Sequence, residues 1–184
     1  MRRMLFKSLV YGSLTEAAPA ADDAALAELS ARVNEAARSR LGRTLSIREV
    51  DAGSCNGCEL EIHALNNIVY DLERFGIRFV ASPRHADVLL VTGPVTTNMR
   101  EALERTYQAT PGPKWVVAVG DCARDGGVFL GSYACLGGVS AVLPVDLHIR
   151  GCPPSPTALL RGLLALLETA QSDRQVRQVT TVDE

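Results

Sequence analysis

Four of the five cysteines in this 184-residue chain lie in glycine-containing segments that directly follow apolar stretches. Cys55 and Cys58 form a Cys-x-x-Cys motif in DAGSCNGCE, Cys122 lies in VVAVGDCARDGG, and Cys152 lies in VDLHIRGCPPSP. Cysteine thiolates bind iron–sulfur clusters and structural zinc ions. The sequence therefore predicts a four-cysteine metal centre, provided that the fold brings these distant segments together.

The predicted strands and helices between the motifs indicate how the fold can bring these segments together. Apolar runs and amphipathic segments alternate, which predicts strands over 46–50, 77–81, 88–92, 115–119 and 145–149, and helices over 22–41, 59–72, 98–109 and 157–168. This alternation is typical of a doubly wound, mainly parallel α/β sheet with helices on both faces. In such a sheet the loops that follow the strands meet at one edge. Three separate loops are thus expected to bring the four thiols to one place.

An iron–sulfur cluster is the favoured occupant of this site, and two alternatives remain. A zinc site is typically built from two closely spaced Cys-x2-Cys knuckles, whereas the spacing here is C-x2-C-x63-C-x29-C. A redox-active dithiol at the Cys-x-x-Cys motif leaves Cys122 and Cys152 without a role. Cys135, in GSYACLGGV, follows no predicted strand and is interpreted as a small packed residue, with replacement of Cys122 as the alternative.

Composition limits the class of protein. Apolar residues make up 47% of the chain and the net charge is −2, which is typical of a globular protein and argues against nucleic acid as a partner. No secretory signal and no apolar run of about 20 residues is visible, so a reducing compartment and a peripheral protein are expected.

Three regions are predicted along the chain: an N-terminal amphipathic segment and linker (1–21), a single α/β domain carrying the cysteines (22–170), and a polar, irregular C-terminal tail (171–184). The first of these, beginning MRRMLFKSLVYG, has apolar residues at helical spacing among basic ones. We expect a helical extension that docks on membrane subunits, with a membrane surface as the alternative.

The motifs SCNGCELEI, PRHADVLLVTGPV, AVGDCARDGG and PVDLHIRGCPPSP resemble those of the 20 kDa subunit family of NADH:quinone oxidoreductase. That family includes the small subunits of complex I and of membrane-bound group 4 [NiFe] hydrogenases. The resemblance extends over roughly 43–168. It implies a flavodoxin-like fold and one proximal [4Fe–4S] cluster bound by Cys55, Cys58, Cys122 and Cys152.

The first motif also favours one branch of the family. Complex I members usually carry two adjacent cysteines there, whereas Cys55 and Cys58 are separated by two residues, as in the formate hydrogenlyase type of hydrogenase. The resemblance thus implies an electron-transfer subunit on the cytoplasmic side of the membrane. Its implied partners are a large catalytic subunit, a ferredoxin-like iron–sulfur subunit and membrane subunits. A complex I-type quinone oxidoreductase subunit and a zinc-stabilised interaction module remain alternatives.

Several polar residues near the motifs are weaker candidates. Glu61, and with less support Glu59, is a possible proton relay, although acidic residues are favoured at helix N-termini in any case. His63 and His148 are interpreted as surface residues on a helix and a strand. The loop 92–96 is expected to line the pocket without binding metal.

Overall fold

The structure, a computed structural model, describes residues 23–180. Its five strands form one sheet in which every pair of neighbours is parallel. The strands are β1 (Ser46–Asp51), β2 (Arg78–Phe79), β3 (Val88–Thr92), β4 (Trp115–Val119) and β5 (Leu147–Ile149), in the spatial order β2-β1-β3-β4-β5. This is the flavodoxin-like order of a doubly wound sheet, and it confirms the predicted fold class.

The helices are α1 (Asp23–Leu41), α2 (Gly57–Ala64), α3 (Arg100–Ala109), α4 (Asp121–Asp125) and α5 (Pro156–Thr180). They cover both faces of the sheet. One buried cluster joins α1, α2 and α5 to the face that carries Ile47, Leu90 and Val117. A second cluster joins α3 and α4 to the face that carries Leu89 and Val116. With both faces covered, β3 and β4 consist entirely of buried residues, as expected for central parallel strands.

Helix α2 is shorter than the predicted helix over 59–72. It ends at Ala64 because Asn67 turns the chain: its side-chain oxygen accepts hydrogen bonds from the backbone N–H groups of Val69 (2.9 Å) and Tyr70 (3.0 Å). Short polar side chains compete with helical backbone hydrogen bonds in this way. As a result Ile68 is 96% exposed rather than buried on a helix face.

The structure lengthens the last predicted helix and does not describe the N-terminal segment. Helix α5 continues to Thr180, through the segment 171–180 that was expected to be an irregular tail. The predicted N-terminal helix and linker lie outside the described residues. The short helix α4 was not predicted. Within residues 23–180, no helix has both the length and the apolar character needed to cross a membrane.

Candidate metal centre

The three predicted loops meet at the carboxyl edge of the sheet, the edge at which the parallel strands end. The loop after β1 carries Cys55 and leads into α2, whose first turn contains Cys58. The loop after β4 places Cys122 in α4, and the turn after β5 contains Cys152. All four cysteines line one cavity of ≈ 100 Å³, together with Ser54, Gly57, Gly93, Asp121, Gly151 and Pro153. None of the four forms a disulfide.

Two glycines allow the cavity wall to approach the sulfurs. A Cβ atom at Gly120, where φ is +90°, would lie 2.7 Å from the Sγ of Cys58. A Cβ atom at Gly127, where φ is +50°, would lie 2.8 Å from the Sγ of Cys122. Both positions therefore require glycine on two counts, the backbone conformation and the space that the sulfur occupies.

Side chains at the end of β1 fix the first cysteine loop. The Oδ1 atom of Asp51 accepts hydrogen bonds from the N–H groups of Gly53 and Ser54, each at 2.7 Å, and the Ser54 hydroxyl accepts one from Asn56 (3.1 Å). These turns hold Cys55 and the start of α2. The loop 92–96 supports the same segment, because the N–H and the hydroxyl of Thr96 donate to the carbonyl of Ala52 (2.9 and 3.0 Å).

The thiols influence one another electrostatically. Burial raises the pKa of Cys58 to about 12, and the negative charges of Glu59 and the other three cysteines act in the same direction. Burial also raises the pKa of Cys122; a backbone hydrogen bond from Val128 opposes this shift, whereas Cys152 and Cys55 add to it. Four thiolates at this edge require positive charge to be stable. The donor set therefore fits a cationic iron–sulfur centre.

An acidic pair lies beside the site. Glu59 is only 7% exposed, and neither of its carboxylate oxygens has a hydrogen-bond partner among the described residues. Glu49 of β1 is partly buried, and its Oε2 atom lies 3.9 Å from the Nε2 of His63. Burial raises the pKa of Glu49; the charge of His63 opposes that shift, and the charge of Glu59 adds to it. No pattern in the sequence indicated that Glu49 is partly buried beside Glu59.

The other candidate residues, apart from Gly93, lie away from the cavity wall. Cys135 is partly buried and forms an isolated antiparallel bridge with Thr96. Glu61 is partly exposed on α2, so its role as a relay stays a prediction. His148 is exposed and its Nε2 lies 3.5 Å from the hydroxyl of Ser140. Of the loop 92–96, Gly93 lines the cavity.

Within the part of the chain that the structure describes, no three His, Cys, Asp or Glu side chains are arranged to share a single metal ion. A mononuclear site needs its ligands to converge on one atom, with Zn–S distances of about 2.3 Å. A [4Fe–4S] cluster sets a different requirement, because each of its four thiolates binds a different iron. Four cysteines spread around one cavity, and not around one point, suit that second requirement.

Comparison with known proteins identifies the family of the chain. The family model of the NADH ubiquinone oxidoreductase 20 kDa subunit matches residues 55–166, a span that begins at Cys55 and includes Cys58, Cys122 and Cys152. The chain belongs to this family, whose members are subunits of oxidoreductase complexes.

Individual relatives come from bacteria and archaea. Formate hydrogenlyase subunit 7 of Escherichia coli is 43% identical over 145 residues, which are 79% of this chain and 57% of that protein. The chain thus spans little more than half the length of that relative. The probable membrane-bound hydrogenase subunit mbhJ of Pyrococcus furiosus is 47% identical over 128 residues, 70% of this chain and 77% of that protein.

A solved structure supports the same grouping. A chain of the membrane-bound sulfane sulfur reductase, an archaeal respiratory membrane complex, superposes with a TM-score of 0.61 and is 36% identical. The match covers 75% of this chain and 74% of that one. Two of these three relatives are thus named as parts of membrane-bound complexes, and two are named as subunits of a hydrogenlyase or a hydrogenase.

Proposed function

We propose that this chain is an electron-transfer subunit that carries one [4Fe–4S] cluster on Cys55, Cys58, Cys122 and Cys152. The observation that carries the proposal is the convergence of these four thiols, from three loops, on one cavity at the carboxyl edge of the sheet. The bound cluster would supply one-electron oxidation and reduction. The chain itself would make and break no substrate bonds.

The residues around the thiols have defined tasks in this proposal. The glycines at 120 and 127 leave room for the sulfurs of Cys58 and Cys122, and the N–H of Val128 donates a hydrogen bond to the Cys122 sulfur. Such hydrogen bonds stabilise the thiolate form that binds iron. Gly93, which is buried, and Pro153, which is exposed, complete the cavity wall beside the thiols.

The proposed partner is the large catalytic subunit of a membrane-associated [NiFe] hydrogenase complex. The Cys-x-x-Cys spacing of the first motif and the hydrogenase names of two relatives support this choice. In that assembly the cluster would exchange electrons with the active site of the large subunit. A ferredoxin-like iron–sulfur subunit and membrane subunits complete the proposed complex, with this chain peripheral on the cytoplasmic side of the membrane.

The surface next to the cysteines suits such a partner. We call residues 127–136 the apolar loop; it begins at the glycine that contacts Cys122. Its exposed side chains include Val128, Leu130 and Tyr133, and no charged residue occurs between Asp125 and Asp146. Uncharged patches with exposed aromatic and aliphatic side chains are typical of the centres of protein interfaces. A subunit docked here would lie directly against the proposed cluster.

A second candidate is a complex I-type quinone oxidoreductase subunit, which the family model favours by its name. The two candidates differ in the partner, since only the hydrogenase has nickel in its large subunit. Metal analysis of the complex captured through this chain distinguishes them. Nickel together with hydrogen-dependent dye reduction supports the hydrogenase; quinone reduction without nickel supports the second candidate.

The cluster is tested on the chain purified without oxygen. We expect about four irons and four sulfides per chain and, after reduction by dithionite, an EPR signal from the cluster. Cys152→Ser should abolish the signal, whereas Cys135→Ser should leave it unchanged because Cys135 does not line the cavity. Bound zinc without iron would instead identify a zinc-stabilised interaction module and refute the proposal.

A further inference from the structure

Asp121 and Gly151 connect the second and third cysteine loops. The backbone N–H of Asp121 donates to the carbonyl of Gly151 (2.9 Å), and the N–H of Gly151 donates to the Oδ1 of Asp121 (3.2 Å). Each of these residues directly precedes a cysteine, Cys122 in one loop and Cys152 in the other. The pair of hydrogen bonds therefore controls the separation of two proposed ligands that are 30 residues apart in the chain.

The carboxylate of Asp121 has a second property that its backbone groups lack. Asp121 lines the same cavity as the four thiols, and its charge is one of the influences that raise the pKa of Cys122. Reduction adds one electron to a cluster and makes it more negative. A carboxylate at the cavity wall opposes that change, because like charges repel and a protein surface screens them less than bulk water does.

We propose that Asp121 is a positioning residue of the metal centre. Its two hydrogen bonds to Gly151 fix Cys122 relative to Cys152, and its charge lowers the reduction potential of the bound cluster. The charge effect rests on the proposed function, because it requires a bound cluster. The hydrogen-bonded link between the loops is present in the chain without a cluster. Asp51, which holds only its own loop, has no equivalent role between loops.

Two substitutions separate the two effects. Asp121→Asn keeps an oxygen that can accept from Gly151 and removes the charge. Asp121→Ala removes the acceptor oxygen and the charge and leaves the backbone hydrogen bond to the Gly151 carbonyl in place. Asp71→Asn is the matched control: it removes one negative charge at the turn before β2, at the opposite edge of the sheet. The measurements on the full-length chain are iron content, EPR-monitored redox titration, and hydrogen exchange of the peptide covering 147–153.

We expect Asp121→Asn to retain its iron and its slow exchange at Gly151 while its midpoint potential rises above those of wild type and Asp71→Asn. Asp121→Ala should lose at least half of its iron and exchange faster at Gly151. Equal potentials for Asp121→Asn and Asp71→Asn would overturn the charge effect. Unchanged iron and exchange in Asp121→Ala would overturn the positioning role of the Asp121 side chain. A wild-type chain without iron would refute the proposed function and the charge effect, while hydrogen exchange would still decide on the link.

Discussion

The two edges of the sheet differ in how their buried acidic side chains are paired. At the amino edge, where the parallel strands begin, Asp87 is buried. It accepts hydrogen bonds from Arg43 (3.0 and 2.6 Å) and from the N–H of Ser46 (2.9 Å). Asp146 accepts from the N–H of Val116 (2.7 Å). At the carboxyl edge, Glu59 is buried without a hydrogen-bond partner among the described residues, and the thiol of Cys58 has a strongly raised pKa.

This difference separates residues that serve stability from residues that serve binding. Charges at the amino edge are satisfied within the chain, so their contribution to the free energy of folding is realised in the isolated protein. The carboxyl edge combines close thiols, a buried acid and an exposed apolar loop, each of which is unfavourable for an isolated chain. Substitutions at the amino edge should therefore change stability alone, and those at the carboxyl edge should also change cluster or partner binding.

The largest effect is expected at the carboxyl edge, for Gly120→Ala. The new Cβ would lie 2.7 Å from the Sγ of Cys58, and the residue has φ +90° and ψ 162°. Backbone strain and overpacking together should lower the free energy of unfolding by about 4 kcal/mol. Because the sulfur must move, we also expect loss of most of the iron, measured by metal analysis beside urea denaturation.

Gly42→Ala is the matched control for that substitution. Gly42 has φ +68°, but nothing lies within 4 Å of the position that a Cβ would take. It should cost only about 1 kcal/mol through backbone strain and leave the iron content unchanged. Equal iron content in the two variants would show that the contact between Gly120 and Cys58 is not needed for cluster binding.

At the amino edge, Asp87→Ala should lower the free energy of unfolding by about 3 kcal/mol. The substitution leaves the buried N–H of Ser46 without its acceptor, while Arg43 is half exposed and can return to water. Asp87→Asn, which retains an acceptor, should cost about half as much. Urea denaturation measures both losses, and the EPR spectrum should not change; a changed spectrum would break the distinction between the two edges.

The strand pattern and the cysteine motifs predicted the sheet and the composition of the cavity, because buried parallel strands are apolar and the loops after them share an edge. The features that the sequence could not predict depend on contacts between residues that are far apart in the sequence. Glu59 lies next to a predicted ligand, and only the packing of α2 against the sheet shows that it, rather than Glu61, is buried. The partner of Asp87 is Arg43, 44 positions away. At 68–69, the apolar pattern predicted burial that the turn at Asn67 prevents.

The apolar loop provides a third test, on partner binding. Tyr133 is fully exposed, so Tyr133→Asp should leave the fold and the iron content intact. Burying the new carboxylate in an interface should weaken association with the co-purified large subunit at least tenfold, about 1.4 kcal/mol. Ile68→Asp, at an exposed apolar residue outside the apolar loop, is the control and should bind normally. A pull-down titration that found both variants equal to wild type would exclude the apolar loop as the docking surface.

The smallest effect is expected from Glu49→Gln, and its sign depends on pH. Burial, and the nearby charge of Glu59, raise the pKa of Glu49, although His63 opposes the shift. The folded chain therefore holds this proton more tightly than the unfolded chain. Stability falls as pH rises from the ordinary glutamate value, about 4.3, through the raised folded value. Glutamine carries no such proton, so Glu49→Gln should gain stability relative to wild type as pH rises from 4 to 7.

The control for this pH dependence is Glu73→Gln, at an exposed position in the turn over Leu72–Phe75. Urea denaturation at pH 4, 5.5 and 7 should give a difference from wild type that grows with pH for Glu49→Gln and stays constant for Glu73→Gln. A constant difference for both would mean that the carboxylate of Glu49 is fully compensated within the chain. Glu49 would then resemble Asp87, and the contrast between the two edges would be limited to the thiols and the apolar loop.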